Sequence, residues 1–356
     1  MSRQDTLGGD KISRREALRF GGLAAAGIVG GTVAAKSNSS FSMAGTRVAD
    51  TRLTTVTDQL GWLKTSQFAG YYAAINNGYF RQQGIEDNLI AGGPNITTSS
   101  VVGSGHALVG CDDNDTALIA ISKGEPNVIF ATLYQRSPNS IFSYAKNPVR
   151  TLADFAHKTI AASAAEQALV VPLLERAHVD VSTIHFVPTN SVAQFANHEV
   201  DAYWGYSTNE GMILRLDGIK FITVSLWNLG LKSMGNVVIT QRHTLATQKS
   251  LLVRYLHALI QGWEYAIAHP VAMGELTVKK FAPPGDNLKS EILQAQAQVS
   301  LVRNPAGIMR FTYGQMQATI DSAITSKVIT KRLKATDVST TEIMDAVYGR
   351  RHSLPL

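Results

Sequence analysis

Cysteine is almost absent from this chain of 356 residues, which contains Cys111 alone. A single cysteine excludes an intramolecular disulfide, and none stands near the N-terminus where a lipid could be attached. A lone thiol acts as a nucleophile when a nearby base activates it, and no such arrangement of residues surrounds Cys111 in the sequence. We therefore interpret Cys111 as a small buried residue at the end of a strand.

Motifs for catalysis and for metal binding are also lacking. There is no Gly-x-Ser-x-Gly elbow, and the nine histidines show no zinc-type spacing. The acidic run Asp112 to Asp115 lacks the glycine and the distal glutamate of a calcium loop, so it favours helix capping. Gly92-Gly93-Pro94 lacks the lysine of a phosphate loop. The sequence therefore predicts a protein that is not an enzyme and that has no cofactor and no metal.

The N-terminal 44 residues differ from the rest of the chain. Ser13-Arg14-Arg15 precedes an uncharged run rich in glycine and alanine, from Phe20 to Ala35. This pattern resembles a twin-arginine signal peptide, although Ala17 stands where that pattern usually has phenylalanine. The alternative is a membrane anchor, but a span needs about 20 strongly apolar residues. The resemblance implies export by the twin-arginine machinery, cleavage after Ala35 or Ala44, and a periplasmic or otherwise extracytoplasmic location without a lipid anchor.

Positive charge is concentrated in that N-terminal segment. Removing residues 1–44 removes six basic and three acidic residues, so the formal charge changes from +6 to 27 − 24 = +3. No stripe rich in lysine or arginine remains, which excludes nucleic acid as an expected partner.

From Leu53 onward, short apolar runs alternate with helical patterns, which is typical of α/β architecture. The pattern restarts at Asn147-Pro148, and after a strand at 236–240 the chain becomes almost entirely helical. We predict two α/β lobes, the first formed by residues 45–146 and 241–356 together with the helical tail, and the second by residues 147–240.

Four stretches carry a resemblance to a known family. They are Trp62 to Ala74 with Asn77-Gly78-Tyr79-Phe80, Gly92-Gly93-Pro94 with Val101 to Gly110, Tyr134 to Pro138, and Asp201 to Glu210. Together they resemble solute-binding proteins of the sulfonate, nitrate, taurine and thiamine-precursor group. Gly92-Gly93-Pro94 and the fourth stretch are most similar to the branch that binds thiamine-precursor pyrimidines and riboflavin-like heterocycles. The resemblance implies the type II periplasmic-binding-protein fold, with a ligand cleft between two α/β lobes.

The candidate site residues follow strands of the predicted lobes, because open parallel sheets bind ligands at the carboxyl ends of their strands. Trp62 offers a flat surface for stacking, and Gln67 offers both a donor and an acceptor. Glu210, at a helix start, is suited to accept hydrogen bonds from an aminopyrimidine edge, or alternatively only caps its helix. The predicted ligand-binding residues are Trp62, Gln67, Phe68, Tyr71, Gly93, Asp112, Asn114, Tyr134, Ser163, Trp204, Tyr206, Asn209 and Glu210.

The implied function is capture of a small heterocycle by hinge closure and its delivery to an ABC permease, by a protein that is monomeric. One alternative ligand is a sulfonate, taurine or nitrate, which would need a cation such as Lys64 or Arg136 near the cleft. A second alternative is an exported enzyme related to the pyrimidine synthases of thiamine biosynthesis. Those synthases use a histidine and a cysteine-rich motif, whereas this chain has Phe68 and one cysteine.

Overall fold

The computed structural model describes residues 53–93, 95–188 and 191–354. The predicted signal peptide and both predicted cleavage points lie outside the described residues. No helix within the described ranges is both long enough and apolar enough to cross a lipid bilayer.

The first of two five-stranded sheets is built mainly from the N-terminal third of the chain. Its strands are β1 (Thr54–Leu60), β2 (Ile85–Ile90), β3 (Val109–Asp112), β4 (Asn127–Tyr134) and β10 (Gly235–Gln241), in the order β2-β1-β3-β10-β4. β1 runs parallel to β2 and β3, whereas β10 is antiparallel to both of its neighbours. Every residue of β4 is buried, as expected for a strand covered on both faces.

The second sheet repeats this plan with the middle of the chain. Its strands are β5 (Asn139–Ser143), β6 (Thr159–Ala161), β7 (His185–Val187), β8 (Ala202–Tyr206) and β9 (Ile222–Ser225), in the order β7-β6-β8-β5-β9. β6 is parallel to β7 and β8, and β5 is antiparallel to β8 and β9. Each sheet therefore holds one antiparallel strand that arrives from the other sheet.

The two crossings between the sheets lie at residues 135–138 and 226–234. The predicted boundary at Asn147-Pro148 is therefore too late, because β5 already pairs within the second sheet. The strand predicted at 236–240, which we placed in the second lobe, belongs to the first sheet as β10. β5 escaped prediction because it follows Pro138 and three of its five residues are polar.

Helices cover both sheets and form the C-terminal third of the chain. They are α1 (Ala69–Asn76), α2 (Tyr79–Gln82), α3 (Thr98–Gly103), α4 (Asn114–Ser122), α5 (Ala164–Arg176), α6 (Ala193–Ala196), α7 (Glu210–Leu216), α8 (Arg242–Thr247), α9 (Lys249–Ala268), α10 (Pro270–Lys280), α11 (Leu288–Ala297), α12 (Val299–Val302), α13 (Tyr313–Thr325), α14 (Ala335–Val338) and α15 (Glu342–Tyr348). The last helices pack on the first sheet, where Thr340 N donates to the Ile129 carbonyl at 2.9 Å.

One large apolar core belongs to the first sheet and its helices, with Trp263, Tyr255 and Phe130 among its buried members. The second sheet has a separate cluster on each face, around Trp204 on one side and Tyr203 on the other. This confirms that consecutive residues of β8 point to opposite faces of the sheet. The expected architecture of two α/β lobes is thus present.

Candidate functional site

A cleft lies where the carboxyl ends of strands from both sheets face each other. It holds about 990 Å³ of empty space, counting the part that opens to solvent. Nine of the predicted residues line it: Trp62, Gln67, Gly93, Asp112, Ser163, Trp204, Tyr206, Asn209 and Glu210. They follow or end β1, β2, β3, β6 and β8, so the general rule for parallel sheets locates this cleft.

Four predicted residues do not line the cleft. Phe68 and Tyr71 are buried in the apolar core of the first sheet and its helices. Phe68 ends the turn before α1 and Tyr71 lies in α1, and both side chains pack into that core. Asn114 is buried and donates from Nδ2 to Ser233 Oγ at 3.4 Å. The Tyr134 hydroxyl donates to Gln298 Oε1 at 2.8 Å within the first lobe.

Asp112 lines the cleft but already accepts four hydrogen bonds. Its Oδ2 accepts from Ser99 N at 3.1 Å and from Ser99 Oγ at 2.5 Å. Its Oδ1 accepts from Thr116 Oγ1 at 2.6 Å and from Asp113 N at 2.8 Å. Asp112 therefore ties the first turn of α3 to that of α4, and its carboxylate serves mainly to hold the floor of the cleft.

Asp113, which the sequence did not single out, reaches across the cleft. It is the N-cap of α4 in the first lobe, and its Oδ2 accepts from the Tyr206 hydroxyl at 2.7 Å and from Asn139 Nδ2 at 3.0 Å. Both donors belong to strands of the second sheet. The available signal was its position, since an N-cap at the end of a parallel strand faces the ligand side of a sheet.

Glu210 shapes the turn between β8 and α7. Its Oε2 accepts from Tyr206 N at 2.8 Å, and its Oε1 accepts from Asn209 Nδ2 at 3.0 Å. A Cβ atom on Gly205 would lie 3.0 Å from Glu210 Oε2, so glycine there leaves room for the carboxylate. Burial raises the pKa of Glu210 to about 7, despite the hydrogen bonds it accepts.

Glu166 is a second acidic residue of the cleft that the sequence analysis missed. It forms a capping box with Ser163, whose N donates to Glu166 Oε2 at 2.6 Å. Burial raises the pKa of Glu166 to about 7, and the nearby carboxylates of Glu210 and Asp113 act in the same direction. The predicted residue Ser163 is thus a helix cap at the rim of the cleft, and the S-x-x-E pattern was the signal for its partner.

Three side-chain amides and one indole complete the polar lining. Gln67 Nε2 donates to Asn236 Oδ1 at 3.2 Å, while the buried Asn236 Nδ2 has no partner among the described residues. Trp204 Nε1 donates to Asn139 Oδ1 at 3.0 Å. The Asn236 amide therefore leaves a donor free for an acceptor group on a ligand.

Charge in the cleft is of one sign. Its lining includes Asp112, Asp113, Glu166 and Glu210, and no lysine, arginine or histidine of the described chain lines it. Cys111 also lines the cleft, and burial raises the pKa of its thiol far above the ordinary value, so the thiol stays protonated. Such a cleft suits hydrogen-bond donors and repels anions.

The described residues contain no group of three or more histidine, cysteine, aspartate or glutamate side chains arranged to hold a metal ion. The run Asp112 to Asp115 instead consists of one strand-end carboxylate, the cap of α4 and the first residues of that helix.

The chain matches one protein family and is similar in sequence to two named binding proteins. Residues 65–273 match the protein family described as NMT1/THI5 like. The riboflavin-binding protein RibY of Chloroflexus aurantiacus is 25% identical over 269 residues, which cover 69% of this chain and 73% of that protein. The formylaminopyrimidine-binding protein of Halalkalibacterium halodurans is 20% identical over 227 residues, covering 62% of this chain and 69% of its own.

Solved structures share the fold. The periplasmic aliphatic sulphonate-binding protein SsuA of Escherichia coli superposes with a TM-score of 0.60 at 13% identity, over 80% of this chain and 91% of that one. The desulfurization enzyme DSZB superposes with a TM-score of 0.53 at 14% identity, over 82% and 98% of the two chains. The fold is that of the periplasmic binding proteins, and both a binding protein and an enzyme are built on it.

Proposed function

Since this chain belongs to the NMT1/THI5-like family, we propose that it is the substrate-binding protein of an ABC importer. The support is threefold: the two relatives are named as binding proteins, the fold is that of periplasmic binding proteins, and a cleft separates the two lobes. Its partners are then a small molecule and a membrane permease.

The ligand that the cleft suits best is a flat heterocycle rich in hydrogen-bond donors, such as an aminopyrimidine or a riboflavin-like compound. The observation that carries this proposal is the lining, with four carboxyl groups and no cationic side chain from the described residues. Trp62 supplies an aromatic surface, and Glu210 with Glu166 supplies acceptors for N–H donors.

A sulfonate or nitrate ligand fits this lining poorly. Lys64 does not line the cleft. Arg136 is engaged elsewhere, because its guanidinium lies 5.1 Å from the centre of the Trp227 ring and donates to Ser225 Oγ at 3.1 Å and to Asn228 Oδ1 at 3.0 Å. An anion in the cleft would meet carboxylates without a counter-charge.

An enzymatic role has less support than binding. The thiol of Cys111 is the only sulfur nucleophile in the chain, and burial holds it in the protonated form. No cationic group from the described residues lies in the cleft to stabilise a thiolate.

Hinge closure is the mechanism that follows from the connectivity. Two segments, residues 135–138 and 226–234, join the lobes. Small rotations in these segments would open and close the cleft around a ligand, and the closed form would dock on the permease. Export by the twin-arginine pathway, an extracytoplasmic location and a monomeric state remain part of the proposal.

A thermal-shift screen tests the function. The purified protein is heated with aminopyrimidines, thiamine, riboflavin, taurine, alkanesulfonates and nitrate. A ligand at about 100 times its Kd should stabilise the folded state by about 2.7 kcal/mol and raise the Tm by several degrees. We expect that shift with a heterocycle and none with the anions; a shift with sulfonates or nitrate alone would overturn the ligand class.

A further inference from the structure

A second cavity lies beyond the wall formed by Trp62, Asn209 and Glu210. It holds about 1000 Å³ of empty space, counting its open mouth, between α7 of the second lobe and the start of α11. Trp62, Asn209 and Glu210 line both the cleft and this second cavity, which we call the chamber. A molecule stacked on Trp62 in the cleft therefore has space for a substituent on the other side of the same residues.

The chamber combines an apolar wall with an acidic one. Leu63, Ile213 and Leu216 supply apolar surface, and Leu63 is 43% exposed in the absence of a ligand. Asp217, Asp286 and Glu291 supply carboxyl groups, and no lysine, arginine or histidine of the described chain lines the chamber.

The acidic wall has acceptor capacity to spare. Asp286 Oδ2 has no hydrogen-bond partner among the described residues, and the Asp286 side chain is partly exposed. Glu291 Oε2 accepts from Ser66 N at 2.5 Å, and none of the ion pairs within the described ranges includes these carboxylates. A carboxylate oxygen without a protein partner can accept a hydrogen bond from a ligand, so this wall suits hydroxyl or ammonium groups.

We infer that the site takes a ligand of two parts: a flat ring in the cleft and a flexible tail in the chamber between α7 and α11. The tail is hydroxylated or cationic, and a phosphorylated tail is excluded because it would add negative charge beside the four acidic residues that line the chamber, Glu210, Asp217, Asp286 and Glu291. This inference rests on the proposed function and specifies the ligand further.

A ligand series tests the inference in both heterocycle classes. Isothermal titration calorimetry compares riboflavin with lumichrome, which keeps the tricyclic ring without the ribityl chain, and with flavin mononucleotide, which adds a phosphate to the chain. The second series compares thiamine with its isolated aminopyrimidine and with thiamine diphosphate.

In the series that binds, we expect the tail to lower the Kd at least tenfold and the phosphate to reverse that gain. Equal affinity for the bare ring and the tailed compound would overturn the inference but leave the proposed function standing. Failure of all six compounds would overturn the proposed heterocycle ligand and this inference with it.

A substitution locates the tail. Leu216→Trp narrows the chamber from its apolar side, and we expect it to weaken binding of the tailed compound at least tenfold while the bare ring is unaffected within twofold. The matched control is Leu288→Trp, an exposed residue at the start of α11 that does not line the chamber. Circular dichroism establishes that each variant is folded, and Ile213→Phe replaces Leu216→Trp if the latter is not. Unchanged affinity for the tailed compound in a folded chamber variant would show that the tail lies elsewhere.

Discussion

At the scale of single residues, opposing effects act on the carboxyl groups of the cleft. Glu166 lies in the first turn of α5, where the helix dipole favours the anion by about 0.3–1 kcal/mol, and it accepts a backbone hydrogen bond. Burial nevertheless raises its pKa to about 7, and the same holds for Glu210. Desolvation therefore outweighs local stabilisation, and near neutral pH both groups are poised between their two protonation states.

Replacing Glu210 with glutamine removes an ionised acceptor while keeping the shape of the side chain. We expect Glu210→Gln to weaken ligand binding by about 1.5–3 kcal/mol, which is roughly tenfold to 150-fold in Kd. The measurement is isothermal titration calorimetry with whichever heterocycle the thermal-shift screen identifies. Glu175→Gln, an exposed change on α5 outside the cleft, serves as the control. Unchanged affinity in Glu210→Gln would restrict the role of this residue to holding the turn between β8 and α7.

The raised pKa values also predict that pH acts in opposite directions on binding and on stability. A ligand that donates hydrogen bonds needs the ionised carboxylates, so affinity for an uncharged heterocycle should fall below about pH 7, by up to tenfold per pH unit for each proton taken up. Stability of the ligand-free protein has the opposite sign. The folded pKa values exceed the unfolded value of 4.5, so this contribution is present at low pH and is lost as pH rises from about 4.5 to about 7.

Titration calorimetry and urea unfolding at a series of pH values separate the two trends. The double variant Glu166→Gln with Glu210→Gln should flatten both profiles. Parallel loss of affinity and stability on acidification would contradict the assignment of these two groups.

At the scale of elements, the packing of α1 on α9 fixes the first wall of the cleft. A Cβ atom on Gly70 would lie 2.2 Å from the Trp263 ring, and one on Gly262 would lie 2.1 Å from the Gly70 carbonyl oxygen. The backbone of α1 at Gly70 therefore contacts both the Trp263 ring and the backbone of α9 at Gly262, and neither contact leaves room for a methyl group. α1 directly follows the short turn Ser66–Phe68, so this contact sets where Gln67 enters the cleft.

Gly70→Ala should therefore cost about 1–3 kcal/mol of unfolding free energy through overpacking, and it should also weaken ligand binding by displacing Gln67. Gly314→Ala is the matched control, because that glycine lies in α13 and the added Cβ would be 3.8 Å from Thr312 Oγ1, an ordinary contact distance. The control should leave the stability of the protein unchanged or raise it slightly, because Gly314 is in the first turn of α13. Urea unfolding measures both, and equal stability of the two variants would argue against close packing at Gly70.

Strands and helices whose apolar residues recur at a regular spacing could be predicted from the sequence. Elements whose polar residues are buried by specific hydrogen bonds could not. From the sequence, the short runs Thr54–Leu60 and Ile85–Ile90 are predicted to be strands, and β1 and β2 have these same bounds. β5 was missed because its polar residues are buried by particular partners: Asn139 by the Trp204 indole, and Ser143 by Val149 N, which donates to its Oγ at 2.9 Å. For the same reason the sequence pointed to Asp112 rather than Asp113, yet Asp112 is bonded within its own lobe and Asp113 reaches across the cleft.

At the scale of the whole molecule, the carboxylate of Asp113 joins the two lobes. Tyr206 and Asn139 both donate to its Oδ2 from the second sheet, at 2.7 Å and 3.0 Å. A ligand that enters between the lobes must coexist with these bonds or replace them. The resting separation of the lobes is thus set partly by one carboxylate near the first crossing.

Asp113→Ala removes both bonds, and we expect the ligand-free protein to open. Small-angle X-ray scattering should then show a larger radius of gyration than for the unsubstituted protein, and saturating ligand should reduce the difference. Asp321→Ala, an exposed change on α13, is the control and should leave the scattering unchanged. Identical scattering curves for Asp113→Ala and the control would mean that other contacts hold the lobes.

The order of strands has a consequence for synthesis of the chain. Every strand of the second sheet lies between residues 139 and 225, so that sheet can form as soon as its own segment is available. The first sheet cannot, because β10, at 235–241, fills the gap between β3 and β4. Until it arrives, β3 and β4 each present an unpaired edge, the kind of surface on which chains aggregate. The part of the protein made first is therefore finished last, and a polypeptide that stops short of residue 235 should need a chaperone or be degraded, even though its second lobe is complete.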